Sequence, residues 1–241
     1  RGSDTFAWDY EDRMTSATVN SVTTTFAYRG DGLRDSRTTG STTTTFTWDI
    51  AGGLPVVLDD GAKYVYGAGL VSQVSGANTY YYLAVGLGST MKTVDATGAV
   101  VNGYTYDIYG KKTSSTGSQA NEFDFAGQQT DSTGLQYLRA RYMDPETGTF
   151  VSRDPLSGSP GWSGHPLGYV GANPTGFSDP TGLCGGFLQL PPWVCGDVPV
   201  YGGKTVGGVA SDIDEAVDRL ASIIGEYRDP IWGCVVWGVQ G

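Results

Sequence analysis

Three Asp-Pro steps fall between residues 144 and 180: Asp144-Pro145, Asp154-Pro155 and Asp179-Pro180. Asp favours the first position of a turn and Pro pre-sets φ for the second, so each step is a turn before it is anything else. Each is also a candidate for chemistry. Two carboxyls close enough to share a proton can divide a hydrolysis between them, one activating water as a base and the other protonating the departing group as an acid. Like charges that close cannot both ionise cheaply, so one pKa rises. Two such turns could fold back to meet. The alternative, which the spacing leaves open, is that each Asp caps its own turn and no bond is cut.

The other reactive residue types are less promising. His165 is the only histidine and lies in a Gly/Ser/Pro loop, 157–166, without Ser-His-Asp order or metal spacing around it. No Gly-rich phosphate loop or nucleotide fingerprint is present, so neither cofactor nor metal is expected. The three cysteines, Cys184, Cys195 and Cys234, allow at most one internal disulfide with one thiol left over. A disulfide or plain buried thiols fit this spacing better than a metal site does.

The elements that must position these turns are β-strands. Phe6-Ala7-Trp8, Phe26-Ala27-Tyr28 and Phe46-Thr47-Trp48 recur every twenty residues, with looser copies at Tyr64, Tyr80, Tyr104 and Phe123. Rings at i and i+2 lie on one side of a strand, and a fixed period near twenty marks stacked repeats. Turn signals follow the triplets, as in Arg29-Gly30-Asp31-Gly32 and Tyr109-Gly110, and Thr/Val-rich strands are expected over 17–26 and 38–47. The result is a series of antiparallel hairpins. The aromatic stripe serves either as packing or as a platform for sugar rings; packing is the commoner use. Tyr137, Arg139 and Arg141 alternate like one strand and share a face. Their arginines would need carboxylate partners if buried, with Asp144, Glu146 and Asp154 nearest in sequence.

Composition agrees. Thirty-seven glycines, many Thr and Tyr, and 17% charged residues argue for short strands and turns. A net charge of −10 argues against nucleic acid as a partner. No run of eighteen apolar residues is present, so no transmembrane segment is expected.

The segment Tyr137-Leu-Arg-Ala-Arg-Tyr-Met-Asp144-Pro-Glu-Thr-Gly148-Thr-Phe-Val-Ser-Arg153-Asp154-Pro155 is followed by Tyr169-Val-Gly-Ala-Asn173-Pro174 and Asp179-Pro180-Thr181-Gly182-Leu183. Together these resemble the Rhs-repeat-associated core of the Rhs/YD-repeat proteins, which are related to the C components of Tc toxins and to polymorphic toxins. Tyr106-Asp107-Ile108-Tyr109-Gly110 resembles the YD repeat itself. The resemblance implies a mainly β fold of serial hairpin repeats over 1–134, forming part of a curled shell. It also implies a core over 135–183 and a variable tail over 184–241. An intramolecular aspartic protease is further implied, with Asp154 and Asp179 as its carboxylates and the Leu183–Cys184 bond as its target. Arg153 would hold a carboxylate ionised, orient the scissile carbonyl, or form a surface ion pair. The first motif, Asp154-Pro155-Leu156-Ser157-Gly158, is one residue longer than the family pattern. The chain opens in mid-pattern and reads as the C-terminal part of a longer protein, secreted or on the cell surface, with any export signal upstream. Its partners would be its own upstream repeats or further copies of itself. Two rivals stand beside the protease: a structural, assembling protein in which no bond is cut, and a surface module that binds a cell-surface glycan.

The tail has 58 residues, seven acidic and three basic, and no histidine, which is too little for a nuclease. It reads as loops, one helix over 211–227 with an apolar stripe from Ile213 to Ile224, and an apolar end around Trp232 and Trp237. A degenerate tail, a plug against the shell wall and an assembly element remain open; packing against the β-layer suits the stripe best.

Overall fold

The computed structural model describes residues 2–157 and 164–183, with one short strand pairing beyond them. Residues 1–190 form one compact unit and 191–241 a second. In the second unit the described residues are β18 (Pro199–Val200) and β19 (Lys204–Thr205), paired antiparallel. The helix expected over 211–227, Trp232, Trp237 and all three cysteines lie outside the described residues.

The first unit is almost entirely antiparallel β. A five-stranded sheet runs β1 (Thr5–Trp8), β2 (Met14–Val19), β3 (Val22–Tyr28), β4 (Arg34–Thr39) and β5 (Thr42–Thr45), in chain order. An eight-stranded sheet follows: β6 (Thr47–Asp49), β7 (Val56–Asp59), β8 (Lys63–Tyr66), β9 (Leu70–Ser75), β10 (Asn78–Val85), β11 (Ser89–Val94), β12 (Val100–Tyr106) and β13 (Lys112–Thr116). Within each sheet every strand pairs with its neighbours in sequence, as serial hairpins require. The chain passes from β5 to β6 through Phe46, whose amide donates to the Asp35 carbonyl at 2.8 Å. No helix among the described residues is long and apolar enough to cross a membrane.

The twenty-residue repeat has a structural signature that its letters only partly show. At Ala7/Trp8, Ala27/Tyr28, Thr47/Trp48, Val65/Tyr66 and Thr105/Tyr106 the register slips just before the second ring. A bulge there bends the strand and increases its twist, so the deviation belongs to the repeat. The Asp after the triplet then closes the turn. Asp107 Oδ1 accepts from the amides of Tyr109 and Lys111, and Asp9 Oδ1 from those of Glu11 and Arg13. This is why Tyr-Asp is the memorable part of the motif: the ring packs and the carboxylate ties the turn.

Two sequence expectations need correction. Residues 17–26 and 38–47 are not single strands. Each spans a tight turn, at Asn20-Ser21 between β2 and β3 and at Gly40-Ser41 between β4 and β5. Asn20 and Ser21 both have positive φ, 50° and 65°, the geometry of a two-residue hairpin loop that favours Asn-Gly. The Thr-rich flanks hid the turn because Ser stands where Gly would have announced it. Ser21→Gly is expected to stabilise the protein by about 0.5–1 kcal/mol, read as a higher urea midpoint at unchanged slope.

Every triplet but the first buries at least one ring. Phe26, Phe46, Tyr64, Tyr82 and Tyr104 are all buried, as is Trp48, whose indole N–H donates to the Arg34 carbonyl at 2.8 Å. Trp8 is the exception, 39% exposed. What the rings pack against is the chain's own later part. Phe26 meets Tyr142, Trp48 meets Tyr137 and Tyr64 meets Phe123, at centroid distances of 5.1, 6.2 and 4.8 Å. The segment 119–131 crosses back over the strands. Gln119 bonds Asn102 of β12, Asn121 bonds Tyr82 of β10, and Glu122 and Asp131 pair with Arg37 of β4. A four-stranded sheet follows, comprising β14 (Gln129–Thr130), β15 (Gln136–Leu138), β16 (Arg141–Asp144) and β17 (Thr149–Phe150). Leu138, Met143 and Phe150 from it join Phe125 and Tyr169 in one buried apolar cluster.

A charged cluster ties this segment to β4. Arg34 is completely buried and reaches Asp131 at 2.6 Å, with Gln129 and the Tyr142 hydroxyl at 3.1 Å. Burial is the largest influence and works against its charge, yet Asp131 together with Tyr142 and Tyr137 outweighs it and the guanidinium pKa is raised. Nearby, burial raises the Asp60 pKa, with Glu122 adding to it.

Candidate active site

Arg139 and Ala140 form the two-residue turn between β15 and β16, with Leu138 opposite Arg141. The expectation that Tyr137, Arg139 and Arg141 share one strand face is therefore wrong: Arg139 has φ 60° and belongs to the turn. This turn grips the second Asp-Pro motif. Arg139 Nη1 donates to the Pro180 carbonyl at 2.8 Å, the Ala140 amide to that of Thr181 at 3.1 Å, and Arg141 Nε to that of Gly182. Three successive residues thus hold three successive carbonyls. The next carbonyl along the chain is that of Leu183.

The two candidate carboxylates meet around Arg141. Its Nη2 lies 3.0 Å from Asp154 Oδ2 and 3.8 Å from Asp179 Oδ2. All three side chains are buried, and the guanidinium also sits over the Phe150 ring, 3.5 Å from its centroid. The other oxygen of each Asp closes its turn. Asp154 Oδ1 accepts from the Leu156 amide at 2.8 Å. Asp179 Oδ1 accepts from the amides of Gly182 and Leu183 at 2.9 and 3.2 Å and from the Thr181 hydroxyl at 3.0 Å. Each Asp is therefore a turn cap and a site carboxylate at once, one oxygen for each task. The extra residue in the first motif does not displace its Asp. The Asp154 amide donates to the Pro166 carbonyl at 2.8 Å, and Arg141 Nη1 reaches the same carbonyl at 3.3 Å.

Burial is the largest influence on Arg141 and lowers its pKa, while the charges of Asp154 and Asp179 oppose that shift. Two carboxylates facing one guanidinium carry a formal charge of −1, so a single proton brings the buried cluster to neutrality.

The cation at the pair is Arg141, not Arg153. Arg153 is exposed and has no ion pair among the described residues. It lines an open cleft of about 540 Å³ with Trp8, Asp12, Pro155 and Ser157, and Asp154 lies on the same cleft. Of the carboxylates proposed for Arg139 and Arg141, Asp154 is a partner of Arg141. Asp144 Oδ1 caps its turn through the Glu146 amide, and Glu146 pairs at the surface with Lys111. His165 Nδ1 accepts from the Leu167 amide, a loop contact. Leu183 is described; Cys184, on the other side of the candidate bond, lies outside the described residues. No group of three or more His, Cys, Asp or Glu among the described residues is placed to hold a metal.

Serial aromatic hairpins packed on their own Asp-Pro-rich core define a repeat-built β-protein. The chain is related to the Rhs and polymorphic-toxin proteins. It is 33% identical over 198 residues to the tRNA3(Ser)-specific nuclease WapA of Bacillus spizizenii, covering 75% of this chain and 8% of that protein. It is 50% identical over 62 residues to the probable deoxyribonuclease RhsB of Dickeya dadantii, covering 25% of this chain and 4% of that one. Among solved structures, a TcdB2-TccC3-TEV crystal structure aligns with 76% of this chain and 10% of its own, at a TM-score of 0.61 and 19% identity, a likeness of fold. No family model matches the chain. The chain spans less than a tenth of the length of these two relatives.

Proposed function

We propose that this segment closes one end of an exported β-repeat shell and cuts its own chain after Leu183, leaving the tail as a separate piece. The observation that carries this is the buried Asp154–Arg141–Asp179 cluster, set against a turn whose last three carbonyls are clamped immediately before Leu183. In this reading Asp154 takes a proton from a solvent water as the water oxygen adds to the Leu183 carbonyl carbon. The carbonyl π pair moves to oxygen, where Arg141, already on the adjacent Gly182 carbonyl, supplies positive charge. As the C–N bond breaks, the nitrogen of Cys184 takes the proton the carboxyl pair holds. The products are a Leu183 carboxylate and a Cys184 amine. Asp179 holds the substrate turn through Oδ1 and completes the pair through Oδ2. The upstream repeats of a longer chain would be the partner of the β1 edge, and the tail would be the piece released or enclosed.

A second reading has its own support. One guanidinium shared by two turn-capping carboxylates is a complete structural staple, and it would serve an assembling protein in which nothing is cut.

Intact mass under denaturing conditions separates the two. The wild-type chain is expected as two pieces, 1–183 and 184–241, and Asp179→Asn as one. A single uncut wild-type chain would leave the cluster as a staple and remove the protease.

A further inference from the structure

Tyr169 is 1% exposed, and its hydroxyl has no hydrogen-bond partner among the described residues. A buried phenol usually finds a partner, because leaving its O–H unpaired costs free energy comparable to a lost hydrogen bond. The ring is fixed edge-on to Phe150 with centroids 5.9 Å apart, and Phe150 carries the Arg141 guanidinium on its face. Tyr169 is thus one ring removed from the site's cation. The charge acting on its hydroxyl is that of Asp179, which adds to burial in raising the phenol pKa and keeps the group protonated, a donor. The hydroxyl lies beside the Asp179 amide but does not complete a hydrogen bond to it.

The ring position itself is explained by packing against Phe150; a phenylalanine would fill it equally well. What packing leaves unexplained is a buried hydroxyl held dry and unpartnered beside the Asp179 amide, under the charge of the Asp179 side chain.

We infer that Tyr169 is a positioning residue for self-cleavage, whose hydroxyl donates to Asp179 when the Leu183–Cys184 bond is engaged. This rests on the cleavage reading above. Among the groups facing Asp179 are then Arg141 from β16, Asp154 from the loop after β17, and Tyr169. A neutral donor on Asp179 stabilises its ionised form and holds it still, so that the proton needed by the leaving amine resides with Asp154 at the moment the bond breaks.

The test is a time course of cleavage in the whole 241-residue chain, made by cell-free synthesis, quenched, and read as cut and uncut mass between about pH 4 and 9. Tyr169→Phe keeps the ring and removes only the hydroxyl. It is expected to cleave about tenfold more slowly and to move the acid limb of the pH–rate profile up by about half to one unit, the size of one neutral hydrogen bond. Tyr66→Phe removes another buried, unpartnered hydroxyl, one under the charges of Arg139 and Asp60 and not of Asp179, and is expected to change neither. A merely structural Tyr169 would alter the rate, if at all, without moving the limb. Wild-type rate and limb in Tyr169→Phe would overturn this role while leaving cleavage intact. An equal loss in Tyr66→Phe would overturn it as a general effect of buried phenols. An uncut wild-type chain would overturn the cleavage reading and this role with it.

Discussion

Asp131→Ala is expected to destabilise the first unit by about 3–5 kcal/mol, the cost of stranding a buried charge. Asp131 has no exposed side-chain surface and divides its two oxygens between two arginines, Arg34 and Arg37, each at 2.6 Å. Without it Arg34 would keep only neutral hydrogen-bond partners, Gln129 and Tyr142, and the faces of Tyr137 and Phe46, 4.2 and 4.3 Å away. Arg37 would retain Glu122. The two guanidiniums would then repel each other in a dry interior. Lys63→Ala is the matching control. Its pair with Asp59 is open to solvent and spans one hairpin, so its loss is expected to cost at most about 1 kcal/mol. Urea unfolding of both variants beside wild type measures the difference. Equal, small losses in the two would mean that the buried cluster relaxes or hydrates, and that it does not hold the core to β4.

Gly182→Ala is expected to cost about 3 kcal/mol or more and, under the cleavage proposed above, to abolish the cut. Gly182 has φ +72°, and a Cβ there would lie 2.9 Å from the Arg141 amide nitrogen and even closer to the Leu138 carbonyl. Both obstacles are backbone within the β15–β16 hairpin, so no rotamer can relieve the clash. Gly40→Ala isolates the conformational part. It has φ +60° with open space around it, and its cost should be about 1–2 kcal/mol. The excess in Gly182→Ala then measures how tightly the Asp179 turn is pressed on the hairpin. Intact mass of the same variant reads the chemistry. A Gly182→Ala chain that is as stable as Gly40→Ala and still cut would show that the clamp on Pro180, Thr181 and Gly182 is unimportant for either purpose.

The hairpins, the packing role of most rings and the turn-capping by Asp154 and Asp179 were legible in the sequence, because period, alternation and turn chemistry are local. The cation was not. Arg139 and Arg141 sit two residues apart between Tyr137 and Tyr142, which reads as strand alternation, and no Gly or Asn marks the turn between them. Arg139 instead takes positive φ itself, held by its bonds to the Pro55 and Pro180 carbonyls. Arg153 adjoins Asp154 in sequence, but it is exposed on the open cleft, whereas the Asp154 side chain is buried against Arg141. The Arg34–Asp131 pair was equally hidden. Nothing local in β4 says that a buried guanidinium will be met from 97 residues away.

That separation has a consequence for timing. Every strand from β1 to β13 pairs with a neighbour in sequence, so the hairpins can zip as they leave the ribosome. Their inner rings and Arg34 must wait for the segment that covers them. At bacterial and eukaryotic synthesis rates, the interval between Arg34 and Asp131 is on the order of 5–20 s. During it Arg34 and Arg37 of β4 stand without the Asp131 that pairs with them. The β15–β16 hairpin and the Asp179 turn arrive later still. The Asp154–Arg141–Asp179 cluster is therefore among the last parts of this unit to be assembled, and under the cleavage proposed above the Leu183–Cys184 bond could not be engaged until the hairpins are already paired.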